Sequence, residues 1–405
     1  MAKTSSRDLD VLVIGGGVSG LWAAIAAARA GARTGLVERC SQVGERIACA
    51  EGARGESLAQ FVGIRPEWVA STIDGACLVA PDGSAVRVPA PGAGYVLHKE
   101  RFLRGLAELA VEEGVEIRVA TEAGPVRPAD GGSLDVGLTE GDGTHRTVCR
   151  VGAVVGADGV EGRVGREAGI QKGAAPGDIY LCAQYTVAPI DVDPHAVEFH
   201  FGNDVAPGGY AWVFPKGEST ANIGVGVTRH AVVARGRAPW VSPIRRLEAF
   251  KQLRAPGARE LRRTVGGIPA AGRPFEACSG GIFLAGDALR IADPVTGGGI
   301  VPGMASGELA GVAAARWSGG GQAWDRVRSD YSRAMRARFK DRRLRVAARK
   351  VLARMSDEDL GRMIRLVADY ASVGDPAGAE TYTLLRFMAK AMPAAFGLTR
   401  HLVGL

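Results

Sequence analysis

The clearest chemistry in this sequence is carried by three glycines and an acid. Gly15-x-Gly17-x-x-Gly20 stands between the apolar run Val11–Ile14 and an alanine-rich stretch, and Glu38 follows about twenty residues on. Gly15 permits a tight turn, Gly17 lets a pyrophosphate approach the backbone, and Gly20 lets helix and strand pack closely. Amides at the start of the helix, with the positive end of its dipole, then face the phosphates. Glu38 suits the ribose hydroxyls. Ser19 inside the turn and Arg39 beside the acid belong to the same candidate site. This is dinucleotide chemistry.

Leu284-Ala-Gly286-Asp287-Ala288 adds a carboxylate after another apolar run. At a helix-entry turn such an acid either hydrogen-bonds a ribityl chain or caps the helix. Gly156-Ala-Asp158-Gly159 is a third glycine–acid turn. An NAD domain needs only the first motif, so the added Gly286-Asp287 turn favours FAD.

The elements that must hold these residues are legible in outline. Residues 9–39 read as strand, glycine turn, long helix and strand, the apolar run suiting a strand buried on both faces. Residues 76–95 read as a hairpin around Pro-Asp-Gly, 100–113 as a helix, and 149–159 as a buried strand ending in a turn. From 179 to 230 the pattern is β-rich, with IYLCAQYTV, VEFHFGN, YAWVFP and ANIGVGV separated by turn residues. A strand at 280–288 leads through a glycine-rich loop into a helix, and 320–405 is helical and basic. The expected fold is α/β. A discontinuous Rossmann-type domain (1–75, 96–172 and 266–318) carries an inserted antiparallel-sheet domain (76–95 and 173–265), followed by a C-terminal helical region (319–405).

Composition narrows the rest. The 46% hydrophobic and 23% charged content is that of a globular protein. With no long apolar run and no signal-peptide core in MAKTSSRDLD, the reading is cytoplasmic. Cys40, Cys49, Cys77, Cys149, Cys182 and Cys278 lack CxxC spacing, which argues against a zinc site or a disulfide framework. The net charge of +7 concentrates in residues 326–350. That run is either a solvated helix face or a peripheral membrane contact with Leu344, Val346, Val351 and Leu352 as its apolar side. No nucleic-acid-binding signature accompanies it.

GGYAWVFPKG, residues 208–217, spends three aromatics on alternate positions in a chain that is 6% aromatic. Alternation puts Tyr210, Trp212 and Phe214 on one strand face. Together with Cys49-Ala-Glu51-Gly52, Gly286-Asp287-Ala288 and Asp293-Pro294-x-x-Gly297-Gly298-Gly299-Ile300, this stretch resembles the geranylgeranyl reductases. These are two-domain FAD enzymes related to the aromatic hydroxylases and halogenases. The resemblance runs from about residue 9 to 316, and the aromatic strand is its most specific part. Where the family often has arginine this chain has Lys99, which keeps the charge of a flavin contact but loses a planar bidentate donor.

The resemblance implies a β-rich roof over the flavin and an apolar cavity for a polyprenyl chain, lined by Tyr210, Trp212 and Phe214. Gly298, Gly299 and Ile300 would offer amides to the reduced ring. The implied reaction joins a hydride from flavin N5 with a proton. Cys49, whose family counterpart lies toward the reaction cavity, is the candidate proton donor. NADPH or a ferredoxin would supply electrons. An FAD monooxygenase or halogenase, and a prenyl-lipid carrier without turnover, are the alternatives.

Overall fold

The computed structural model describes residues 7–141, 143–172, 178–228, 242–270 and 277–372. The basic run 326–350 falls wholly inside this range; the expected helical residues beyond 372 lie outside it.

One sheet is built on parallel neighbours. Its strands run in the order Cys278–Ser279, Ile282–Leu284, His145–Gly156, Leu9–Ile14, Thr34–Val37 and Glu116–Arg118. Val11, Leu12 and Val13 are fully buried, which is why this strand reads as an unbroken apolar run. Thr121–Pro128 and Leu134–Glu140 form an antiparallel extension on His145–Gly156. Two helices cross one another closely. Gly303, Gly307 and Gly311 of Ile300–Ser318 lie against Val18–Arg29, and a Cβ at Gly307 or Gly311 would meet the carbonyl of Ser19 or Ala23 at 2.3 or 2.2 Å. Gly20, Gly94 and Gly209 allow comparably close approach, each to a backbone carbonyl that a Cβ would meet at 1.8–2.0 Å.

The second sheet has the order Arg259–Pro269, Ile179–Ala188, Ala221–Thr228, Tyr210–Pro215, Ala196–His200, Val69–Val79, Ala85–Leu97 and Gly52–Arg54. Its pairs are antiparallel except Ala196–His200 with Val69–Val79. The hairpin expected at 76–95 is longer, pairing Val69–Val79 with Ala85–Leu97 through two register shifts. Each strand alternates between two surroundings. Ala183, Tyr185, Val187, Ala211, Val213, Ile223 and Val225 face helix Pro243–Arg254 and form a core with Leu247 and Phe250. Cys182, Gln184, Tyr210, Trp212 and Phe214 face the other way, toward the first sheet. The alternation read from the sequence therefore separates a core face from a cavity face.

The basic run is not one solvated surface. It forms helices Trp324–Arg338 and Arg342–Leu352, and Arg342 and Arg349 are buried. Arg342 donates to the carbonyls of Ile291 and Ala292 at 3.2 and 2.9 Å, and Arg349 stacks 4.4 Å over the Tyr180 ring. Arg345 pairs with Asp293. Guanidinium groups that are planar, always charged and rich in donors fill this role well. Among the described residues, no helix is long and apolar enough to cross a membrane.

Candidate active site

A cavity of about 830 Å³ lies between the two sheets. From the first sheet's side it is lined by Gly17, Ser19, Asp287, Gly298, Gly299 and Ile300. From the second it is lined by Tyr210, Trp212 and Phe214, with Cys49 and Lys99 between. Most of the residues singled out in the sequence thus meet in one space.

The glycine turn is shaped for a ligand. Gly15 adopts φ +110, and a Cβ at Gly20 would fall 1.8 Å from the Gly15 carbonyl oxygen. A Cβ at Gly17, by contrast, would meet nothing within 4 Å and would point into open space at the cavity. Tightness at Gly15 and Gly20 with room at Gly17 is what a pyrophosphate needs. Glu38 is held by the Gly16 and Cys40 amides at 2.7 and 2.8 Å, each oxygen retaining acceptor capacity. Gly286, at φ +62, packs its α-carbon on Ser19. Asp287 then projects into the cavity. Burial raises its carboxyl above the ordinary range and Lys99 offsets only part of this. Such a group is suited to ribityl hydroxyls. The donor set, the open space at Gly17 and the loop 293–300 all fit FAD.

That loop is folded by Asp293. Its carboxylate accepts from the Val295 and Thr296 amides at 3.0 and 2.8 Å and pairs with Arg345. Burial opposes this charge, but Arg345 and the amides outweigh it and depress the Asp293 pKa. Tyr210 Oη donates to the Thr296 carbonyl and Tyr180 Oη to that of Pro294 at 3.4 Å. Two tyrosines of the second sheet therefore tie down the loop that presents Gly298, Gly299 and Ile300.

Glu38, Arg39 and Asp158 are not among the residues that line this cavity. Arg39 pairs with Glu161 at 3.4 Å and lines a separate pocket of about 330 Å³ with Cys40 and Ala120. Asp158 accepts the Val164 amide at 2.9 Å, at the start of the short helix Arg163–Glu167.

Cys49-Ala50-Glu51 has no regular secondary structure, and Glu51 holds φ +73. Side chains of the second sheet hold it in place. Gln184 Nε2 donates to the Cys49 carbonyl at 3.0 Å, and Asn222 Nδ2 to the Ala50 carbonyl at 3.3 Å and Glu51 Oε2 at 2.7 Å. Lys216 pairs with Glu51 and donates to the Leu97 carbonyl at 3.1 Å. The Glu51 amide donates to Cys49 Sγ at 3.2 Å. Lys99 completes the cluster. Burial opposes its charge, but the hydrogen-bonded Cys49 sulfur with Asp287 and Glu51 outweighs it and holds the ammonium above the ordinary lysine pKa.

The aromatic wall is larger than the sequence suggested. Phe199, from the neighbouring strand, sits edge-on to Tyr210 and Phe214 at centroid distances of 5.3 and 5.7 Å. Trp212 lies over Gly224, where a Cβ would be 2.2 Å from the indole. The glycines of ANIGVGV make room for it. Phe199, Gln184, Asn222 and Lys216 were not singled out from sequence, although their alternate positions on β-rich runs place them on the cavity face.

A family model described as the geranylgeranyl reductase catalytic domain matches residues 178–245, and one described as FAD dependent oxidoreductase matches 10–211. A digeranylgeranylglycerophospholipid reductase of Methanothrix thermoacetophila is 35% identical, across 97% of this chain and 99% of that one. The chain belongs to the geranylgeranyl reductase family. It is an FAD-dependent oxidoreductase by the same evidence. A geranylgeranyl bacteriochlorophyll reductase-like protein of Thermoplasma acidophilum superposes with a TM-score of 0.88 at 27% identity, covering 97% and 99% of the two chains. The myxobacterial chondrochloren halogenase, at 18% identity and a TM-score of 0.66 over 96% and 97%, shares the fold of the reductase family.

Proposed function

We propose that this chain reduces carbon–carbon double bonds of a polyprenyl lipid, with Cys49 donating the proton. The observation that carries the proposal is the one cavity that joins Gly17 and Asp287 to Cys49 and the aromatic wall. Gly15, Gly17, Gly20 and Asp287 would hold FAD, which when bound and reduced would supply the hydride.

The chain's own residues do the rest. An isoprenoid offers almost no hydrogen bonds, so shape and apolar contact must position it. Tyr210, Trp212, Phe214 and Phe199 are large and rigid enough for this. Amides at Gly298, Gly299 and Ile300 suit negative charge at the start of the helix. An unactivated alkene stabilises no anion, so one carbon needs a proton as the other receives hydride. Cys49 Sγ gives that proton, and the Lys99 ammonium beside it stabilises the thiolate left behind. Solvent returns the proton after product leaves.

NADPH or a ferredoxin delivers the electrons, and anaerobic flavin reduction by each distinguishes them. Leu344, 40% exposed and flanked by exposed Arg343, is the apolar point of a peripheral contact with an anionic membrane.

The test is an anaerobic single turnover of reduced holoprotein with a geranylgeranyl lipid. Flavin should reoxidise as the lipid gains two hydrogens per bond. Cys49→Ala should slow that step by about 10²–10⁴, the range of general-acid assistance, with flavin reduction by an artificial donor unchanged. An oxygenated or halogenated product formed only in air would sink the reductase reading. Lipid binding without any turnover would leave a carrier instead.

A further inference from the structure

Trp212 has a second connection besides the cavity wall. Its Nε1 donates to Gln184 Oε1 at 3.0 Å, and Gln184 Nε2 donates to the Cys49 carbonyl at 3.0 Å. Trp212 and Gln184 are 6% and 7% exposed. Buried groups of this kind lose more when unpaired than they gain when paired.

The chemistry of an amide makes the connection directional. A glutamine side chain has an acceptor end and a donor end. The indole nitrogen is a donor only, so it must meet Oε1. Turning the amide over would set the indole N–H against an NH₂ group and Oε1 against the Cys49 carbonyl. Both contacts would become repulsive. Trp212 thereby fixes which end of Gln184 reaches Cys49.

The indole is itself fixed. It is pressed over Gly224, on the strand that separates Tyr210–Pro215 from Ile179–Ala188, and Gln184 is the residue opposite Gly224 in register. Trp212, Gly224 and Gln184 therefore form a row across three strands, and the row ends on Cys49. Cys49 sits in a segment without helix or strand of its own, where such tethers set its place.

We infer that Trp212, acting through Gln184, is a positioning residue for Cys49, so that the strand shaping the substrate chain also sets where its proton arrives. This rests on the reading of Cys49 as proton donor. It separates two roles of one residue: the ring surface acts in binding, and the indole N–H acts in the chemical step.

Trp212→Phe keeps most of the ring and removes the N–H. Gln184→Leu removes both hydrogen bonds, and Gln184→Glu keeps the acceptor for Trp212 while losing the donor to Cys49. Each should retain FAD and lower kcat for alkene reduction about tenfold, a scale set by the upper range of one neutral hydrogen bond, with KM for the lipid within about twofold. The same substitutions in a Cys49→Ala background should cause no further loss, because the row would then have nothing to position. If Trp212→Phe raises KM and leaves kcat alone, the residue is wall only and the inference falls. Equal losses with and without Cys49 would overturn it too, leaving the proton-donor reading intact. Parental turnover in Cys49→Ala alone would instead remove that reading, and this inference with it. Should Gln184→Leu fail to fold, Gln184→Glu and Trp212→Phe carry the cycle.

Discussion

The two sheets approach the same cavity with different materials. The first brings backbone: Gly15, Gly17 and Gly20 at the turn, Gly298 and Gly299 before the helix, and Gly303, Gly307 and Gly311 along it. The second brings side chains: Gln184, Trp212, Asn222 and Lys216, each bonded across strands or onto Cys49-Ala50-Glu51. On the proposed function, the difference follows from what each half would hold. A pyrophosphate is recognised by amides and a dipole, which need close approach and therefore no side chain. An apolar chain and a reactive thiol need fixed surfaces, which only side chains supply.

The sharpest way to break this comparison is Gly17→Val. In the backbone-built half a side chain should harm the ligand and spare the fold, because a Cβ at Gly17 meets no protein atom within 4 Å. The variant should purify folded and colourless, with flavin content near zero after incubation with FAD. Gly20→Val differs, since its Cβ would strike the Gly15 carbonyl and should prevent folding. A yellow, FAD-loaded Gly17→Val protein would mean that the pyrophosphate does not pass there.

The same division explains what could be read from sequence. Gly15, Gly17, Gly20 and Asp287 were legible because backbone approach leaves a mark in residue type at fixed spacing. The strand Tyr210–Pro215 was legible because burial of two faces leaves a period of two. Gln184, Asn222 and Lys216 were not, because their partners are Cys49 to Glu51, more than 130 residues away. No local pattern encodes that pairing. The inward turn of Arg342 and Arg349 was hidden for the same reason: their partners, among them the carbonyls at 291–292 and 270, lie about 50 to 80 residues upstream. In a basic run, the arginines that point inward look like those that do not.

Side-chain clamps predict a different weakness. Glu51 is 5% exposed, and its carboxylate pairs with Lys216 and accepts from Asn222 Nδ2 at 2.7 Å and the Lys99 amide at 3.2 Å. Lys216→Met should cost about 3–5 kcal/mol, since removing one partner strands a buried charge. Urea unfolding of the holoprotein measures it. Adding Glu51→Gln should recover part of the loss by removing that charge. A cost below about 1 kcal/mol would make this pair no stronger than a surface ion pair and would blur the contrast between the halves.

The smallest expected effect concerns acid, and it lies on the opposite face of the second sheet. Glu198 accepts from Arg254 Nε at 2.8 Å and from His200 Nε2 at 2.8 Å. Burial would raise its pKa, but Arg254 and His200 outweigh this and lower it from 4.5 to about 2. A carboxyl whose folded pKa is depressed binds fewer protons folded than unfolded. Its contribution is therefore complete above the unfolded value near 4.5 and is lost as pH falls toward 2. Glu198→Gln keeps the shape and removes the titration. The parental protein's advantage over Glu198→Gln in urea midpoint should be constant from pH 7 to 5 and shrink from pH 5 to 3. A gap that stays constant to pH 3 would mean that Glu198 supports this sheet through shape alone. The second sheet would then hold its outer face by packing, as the first sheet holds its glycine turn, and the contrast would be confined to the cavity side.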